Sequence, residues 1–181
     1  MKDWLSFVAT EEMDSKNQAL LIAYAVKYIK DIIGTPDKVL CVGVGDGTEM
    51  DYFSNPIGID ISDKSITQCK KDGLDVLKMD MHHMTFKDNL FDLVFSKDNF
   101  EHAISPIEAI SEFARVSSKY VAIIVPDEKW QSSGWHFIIP TIKQMVSLGE
   151  KVGLALKALR EYEVVVGQFS VTQSLYVFQK L

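Results

Sequence analysis

The stretch Val39-Leu40-Cys41-Val42-Gly43-Val44-Gly45-Asp46-Gly47-Thr48-Glu49-Met50 constrains the fold more than any other part of the chain. Four residues of strand character follow the turn-forming Thr35-Pro36-Asp37, and three of them are Val or Leu. That is the composition of a short buried strand. Glycines then occupy alternate positions, Gly43, Gly45 and Gly47, and Thr48 opens a segment able to start a helix. A strand that runs through glycines into a helix N-terminus gathers backbone N–H groups and the positive end of a helix dipole at one spot. Such a spot favours a polar or anionic group. Glycine matters there because a ligand can reach the backbone only where no Cβ intervenes.

The spacing sharpens this reading. In the dinucleotide fingerprint G-x-G-x-x-G, an acid follows about 20 positions on. Here the third glycine comes one residue early and Thr48 stands where the dinucleotide glycine would be. That spacing disfavours an NAD- or nucleotide-sugar-binding protein. Downstream, Pro56-Ile57-Gly58-Ile59-Asp60 reads as a second short strand. It ends in an acid placed to accept hydrogen bonds from ribose hydroxyls. G-x-G-x-G followed by hydrophobic-Gly-hydrophobic-Asp resembles the class I S-adenosylmethionine (SAM)-dependent methyltransferases. The resemblance implies an α/β fold: a seven-stranded, mostly parallel, Rossmann-like sheet with an antiparallel last strand and helices on both faces. It implies SAM as cofactor, held by Gly43, Val44, Gly45, Asp46, Gly47, Asp60 and Ile61.

The rest of the chain repeats a β-α rhythm. A helix is expected from Ser15, with Ser15 and Gln18 in capping-box spacing and Leu21, Tyr24, Ala25, Tyr28 and Ile32 on one stripe. Gly34 and Pro36 end it. Thr48–Phe53 is long enough only for a short helix. Ser62 or Asp63 can cap the next, through about Lys71. Asp75–Met81 reads as a third strand, and Asn89–Ser96 as a fourth. Ser105-Pro106-Ile107-Glu108 starts a helix whose apolar stripe includes Ile107, Ile110, Phe113 and Ala114. Tyr120–Val125 is a β-branched run, the signature of a strand buried on both faces. Residues 127–140 form a connection rich in aromatics, with Trp130, Gly134, Trp135, His136 and Phe137. Thr141 and Gln144 cap a last helix. Ala155–Val166 and Val171–Gln179 close the chain as a hairpin turning at Gly167.

Within the family pattern, Asp80 and Met81 occupy the positions that meet the adenine ring. Phe91-Asp92-Leu93-Val94 looks like the family's F-D-x-V signature, and Ser96 lies at the edge that faces the cofactor's methyl group. Methyl transfer from a sulfonium starts with an activated leaving group. The protein must position the acceptor and, for an O or N acceptor, remove a proton. His102, His136 and Asp98 are the candidate catalytic groups, with Glu101 beside them; histidine suits the role because its pKa is about 6.5. His82-His83 with Asp80 or His136 could approach a metal, but adjacent histidines point in different directions, and no metal is expected. One departure stands out. The family usually carries an acid two residues before the first glycine, and this chain has Cys41 there; Glu49 and Asp46 are the nearby acids that could substitute. An Asn/Asp-Pro-Pro-aromatic motif is absent after the fourth strand, where Ser96-Lys97-Asp98-Asn99 stands. The expected acceptor is therefore a small molecule methylated on O, N or C. The alternative is a protein that binds SAM or a nucleoside without turnover.

Composition narrows the setting. The 181 residues are 47% apolar, enough for one domain with a sizeable core. They divide into an N-terminal helical segment (1–35), a cofactor-binding half (36–125) and a substrate-side half (126–181). The net charge of −6 argues against a non-specific grip on nucleic acid. Cys41 and Cys69 lack metal spacing and indicate no disulfide framework, so a cytoplasmic setting is expected. Met1-Lys2-Asp3-Trp4 opens no signal-peptide core. No apolar run reaches the roughly 20 residues needed to span a bilayer.

Overall fold

The computed structural model describes residues 15–126, 136–166 and 169–181. The expectations for Trp130, Gly134, Trp135 and the turn at Gly167 lie outside these residues, as do the side chains of Ser15 and Gln18. In chain order the elements are α1 (Ser15–Ile33), β1 (Val39–Val42), a 3-10 turn (Thr48–Tyr52), β2 (Ile57–Asp60), α2 (Asp63–Lys71) and β3 (Val76–Lys78). Then come β4 (Phe91–Lys97), a second 3-10 turn (Phe100–His102), α3 (Pro106–Val116), β5 (Ser117–Pro126), α4 (Ile142–Lys151), β6 (Leu154–Val166) and β7 (Phe169–Lys180).

One seven-stranded sheet runs β3-β2-β1-β4-β5-β7-β6. β1 pairs in parallel with β2 and β4, β2 with β3, and β4 with β5. The last strand in the chain, β7, inserts between β5 and β6 and runs antiparallel to both. The expected mostly parallel sheet with an antiparallel last strand is the observed one.

Strand alternation sorts the core into two layers. Leu40, Val42, Val94, Val121 and Ile123 face one side, against Ile110 and Phe113 of α3 and Met145 of α4. Val39, Cys41, Leu93, Phe95 and Ile124 face the other, against α1 and Ile66 and Cys69 of α2. Helices therefore cover both faces. The face of α1 differs from the expected one: Ile22, Ala25, Val26 and Ile29 are the buried stripe, while Tyr24 is exposed. These four follow the i, i+3, i+4, i+7 rule as well as the expected set does, and contact with the sheet decides between them. Ile107 is likewise exposed rather than part of the α3 stripe.

The ends of the helices follow their sequence signals unevenly. Thr141 and Gln144 form the full capping box of α4. Ser62 caps α2 by accepting from Ser65 N–H. Ser105 precedes α3, with Pro106 in its first turn, but makes no side-chain cap. The connection from β3 to β4 is held to α3 instead by Arg115. Its guanidinium donates to the carbonyls of Met84 and Phe86 at 2.8 and 2.7 Å and pairs with Glu112 and Asp88. β3 is also shorter than expected. It stops at Lys78, and Asp80 pairs across a single bridge with His83.

Candidate functional site

The sheet order reverses direction between β1 and β4, which parts the carboxyl ends of these strands and opens a crevice there. A cleft of about 270 Å³ lies at this end of the sheet. Gly43 from β1, Asp60 and Ile61 from β2, Met79 to His82 after β3, and Asn99 and His102 after β4 line it, with Phe137 at its rim. Gly43, Asp60, Ile61, Asp80, Met81 and His102 are thus brought to one cleft.

Asp60 organises one wall. Its Oδ2 accepts Gly45 N–H at 2.9 Å and its Oδ1 accepts Ser62 N–H at 2.8 Å. A carboxylate has about four acceptor sites, so each oxygen keeps capacity for a ligand hydroxyl. The acid both fixes the glycine bend and faces the cleft. Gly43 and Gly45 have φ of 76° and 53°, where a side chain strains the backbone. They differ in surroundings. A Cβ on Gly45 meets nothing within 4 Å, whereas one on Gly43 drives into the side chain of Asn99. Asn99 lies across the cleft from Gly43 to Met81, donating to the Met81 sulfur at 3.7 Å.

Other expected contacts serve the scaffold. Asp46 Oδ1 accepts from the N–H and hydroxyl of Thr48 at 3.0 and 2.8 Å, bracing the turn that follows the loop. Val44 and Gly47 help build the bend without lining the cleft; the Val44 side chain is buried in the core. Ser96 is buried in β4 and does not line it either. Asp80 faces the cleft, and its Oδ1 accepts from the backbone N–H and Nδ1 of His82 at 2.9 and 2.7 Å. Those bonds hold its carboxyl below the usual range, against the opposing effect of burial. Ser105 N–H donates to His82 Nε2 at 3.4 Å, on the opposite side of the ring from Asp80. With both ring nitrogens engaged, His82 ties the β3 end to the start of α3.

The wall at the end of β4 is of another kind. Lys97 is half-buried and pairs with Asp98, a non-glycine residue at φ 47°. Burial would lower the Lys97 pKa, but the carboxylates of Asp98, Glu49 and Glu101 outweigh it and hold it above the ordinary value. Asp98 Oδ1 also accepts from Gln173 of β7 at 2.6 Å, so both its oxygens are engaged. Glu49 is buried, and burial pushes its carboxyl up to about 8 despite the opposing Lys97 charge. It sits close enough to Cys41 that its charge adds to burial in raising the thiol pKa. Of the two acids that could substitute for the one missing at Cys41, Glu49 is buried near that residue and does not line the cleft.

Four buried side-chain atoms among the described residues have no hydrogen-bond partner: Ser96 Oγ, Glu101 Oε2, Tyr162 OH and Gln173 Oε1. All four belong to this wall or to residues beside Asp98. Burial, with the Asp98 charge, drives the Tyr162 pKa far up, so its hydroxyl keeps its proton. The His102 and His136 rings lie 5.2 Å apart. Sequence reasoning did not single out Asn99, Met79 or Gln173. Gln173 stands between Thr172 and Ser174, a polar run that gives no sign in sequence of its burial.

Residues 40–124 match the family model of a methyltransferase domain. The match covers 85 of the 181 residues, from β1 into β5. It is similar in fold to a SAM-dependent methyltransferase from Methanosarcina mazei, with a TM-score of 0.72 at 16% identity, over 85% of this chain and 97% of that one. Magnesium protoporphyrin IX methyltransferase from Synechocystis, solved with bound SAM, gives a TM-score of 0.70 at 13% identity, over 91% and 80%. The cyclase SpnF gives 0.72 at 13%, over 87% and 80%. Identities this low speak for the fold alone, and the last shows that the fold also hosts other chemistry. No curated protein matches the chain in sequence. No helix among the described residues is long and apolar enough to cross a membrane.

Proposed function

We propose that the protein binds SAM and transfers its methyl group to an O, N or C of a small-molecule acceptor. The observation that carries this reading is Asp60. It braces the Gly45 backbone from one side and keeps acceptor capacity toward the cleft, as a ribose-binding acid must. On this reading, Asp60 and Ile61 take the ribose, and Asp80 and Met81 the adenine. The methionyl group extends past Gly43 toward the β4 wall. There Glu49 stands in for the usual acid, and the orphaned polar atoms supply partners. The acceptor enters beside His102 and Phe137. The candidate bases are His102, His136 and Asp98, the last tied to Lys97 and Gln173.

Calorimetry with SAM, S-adenosylhomocysteine and NAD tests the cofactor; SAM and its product should bind and NAD should not. Turnover of SAM across an acceptor panel tests the chemistry. A second reading, SAM or nucleoside binding without turnover, draws on Asn99 packed against Gly43. Tight SAM binding with no acceptor-dependent product would favour it.

A further inference from the structure

We propose that Glu101, His102 and His136 form a binding site for a divalent transition-metal ion in the wall of the cleft. One ligand atom from each lies within 4.8 Å of the others. The two imidazoles come from distant parts of the chain, and the backbone brings them together. The carbonyl of Glu101 accepts from the N–H groups of Phe137 at 2.9 Å and Ile138 at 3.3 Å. Those bonds pin the segment after His136 to the 3-10 turn that carries Glu101 and His102.

A second observation points to a ligand. Glu101 is 1% exposed, and its Oε2 has no donor among the described residues. A buried carboxylate oxygen left without a partner is costly, and a bound cation relieves it. Two imidazoles and one carboxylate, with further positions open, are the donor set of catalytic zinc and of non-haem iron. Magnesium and calcium prefer all-oxygen sites. Ligand atoms about 2.0–2.2 Å from zinc lie roughly 3.3 Å apart in a tetrahedron. The observed span of up to 4.8 Å is wider, so binding would draw the three ligand atoms together.

The position beside the cleft gives the ion a role that rests on the methyl-transfer reading. His102 lines the cleft, so an ion on it borders the acceptor space. It would bind an acceptor oxygen and acidify its hydroxyl, the task otherwise left to a histidine base. The acceptor class is then a hydroxyl compound.

The test is a titration of the full chain, stripped of metal by chelator, with cobalt chloride and no SAM. Visible d–d absorption should saturate at about one equivalent, and zinc but not magnesium should displace the cobalt. His102→Ala and His136→Ala should weaken binding by more than the roughly 10–100-fold that loss of an outer partner costs. Glu101→Gln should weaken it too, and the exposed neighbour His83→Ala should not. Folding of each variant is checked by circular dichroism. Absence of saturable cobalt binding in the unmodified chain overturns the proposal without any variant. Binding that survives both folded His102 and His136 variants overturns it as well. Because these titrations contain no SAM, SAM binding without cobalt binding would remove the metal site and leave methyl transfer standing.

Discussion

The two walls of the cleft are built on opposite principles. At the ends of β1, β2 and β3, the polar groups satisfy one another over short sequence distances: Asp60 with Gly45 and Ser62, Asp46 with Thr48, Asp80 with His82. At the end of β4, Glu49, Lys97, Asp98 and Glu101 meet Tyr162 and Gln173 across most of the chain. There charge is buried, and four polar atoms lack partners among the described residues. The first wall is complete by itself. The second is held against the cost of desolvation and is completed by protons or ligands.

The largest expected effect sharpens this contrast through pH. Glu49 titrates near 4.5 in its ordinary state and at about 8 when buried. Between those values the unfolded chain has shed the proton and the folded chain has kept it. Its contribution is therefore complete below about pH 4.5 and is lost as pH rises through about 8. At 1.36 kcal/mol per pKa unit, discounted for coupling to Lys97, the loss is on the order of 2–4 kcal/mol. Glu49→Gln should not show it. Denaturant midpoints at about pH 5 and pH 8 should diverge between the two proteins; parallel curves would mean that Glu49 is not buried as a neutral acid.

Next comes the satisfied wall. Asp60→Ala removes the acceptor for the Gly45 N–H and the proposed partner of the ribose. It should weaken SAM binding by about 1.5–3 kcal/mol, which calorimetry reads as roughly a 10–150-fold rise in Kd. Unchanged affinity would break the contrast, because the acid would then be only a brace. A smaller effect separates two glycines of the same bend. Gly45→Ala meets open space and should cost about 1–2 kcal/mol of stability from its backbone alone. Gly43→Ala should cost about 1 kcal/mol more, from collision with Asn99, and Asn99→Ala in that background should recover the excess. Strict additivity of the two substitutions would contradict the contact. The smallest is His82→Ala, which removes one side-chain link at each end and should cost about 0.5–1.5 kcal/mol in thermal unfolding.

The same division explains what could be read from the sequence. The glycines, Asp60, the capping box at Thr141 and the β-branched strands act through neighbours a few residues away, so their pattern is written locally. The strand order and the cleft at the ends of β1 to β3 follow from it. The buried face of α1 was misjudged because Leu21, Tyr24 and Tyr28 offer a stripe as regular as Ile22, Ala25, Val26 and Ile29; only contact with the sheet selects the second. The β4 wall was least legible. Lys97 and Glu49 look like solvated charges in sequence, and only the folded chain shows each beside the other. Cys41 marked a departure from the family, and Glu49 was one of two acids that could answer it. Glu49 is buried near Cys41, while Asp46 Oδ1 accepts from Thr48. Asn99 had no sequence signal beyond its place after β4.

The central claim is that a nucleoside lies along the carboxyl ends of β1, β2 and β3. A crystal structure with S-adenosylhomocysteine tests it most directly. The account predicts ribose hydroxyls within hydrogen-bond distance of Asp60, adenine between Asp80 and Met81, and Asn99 displaced from the face of Gly43. A ligand bound elsewhere, or a cleft that stays closed by Asn99 at saturating ligand, would contradict it.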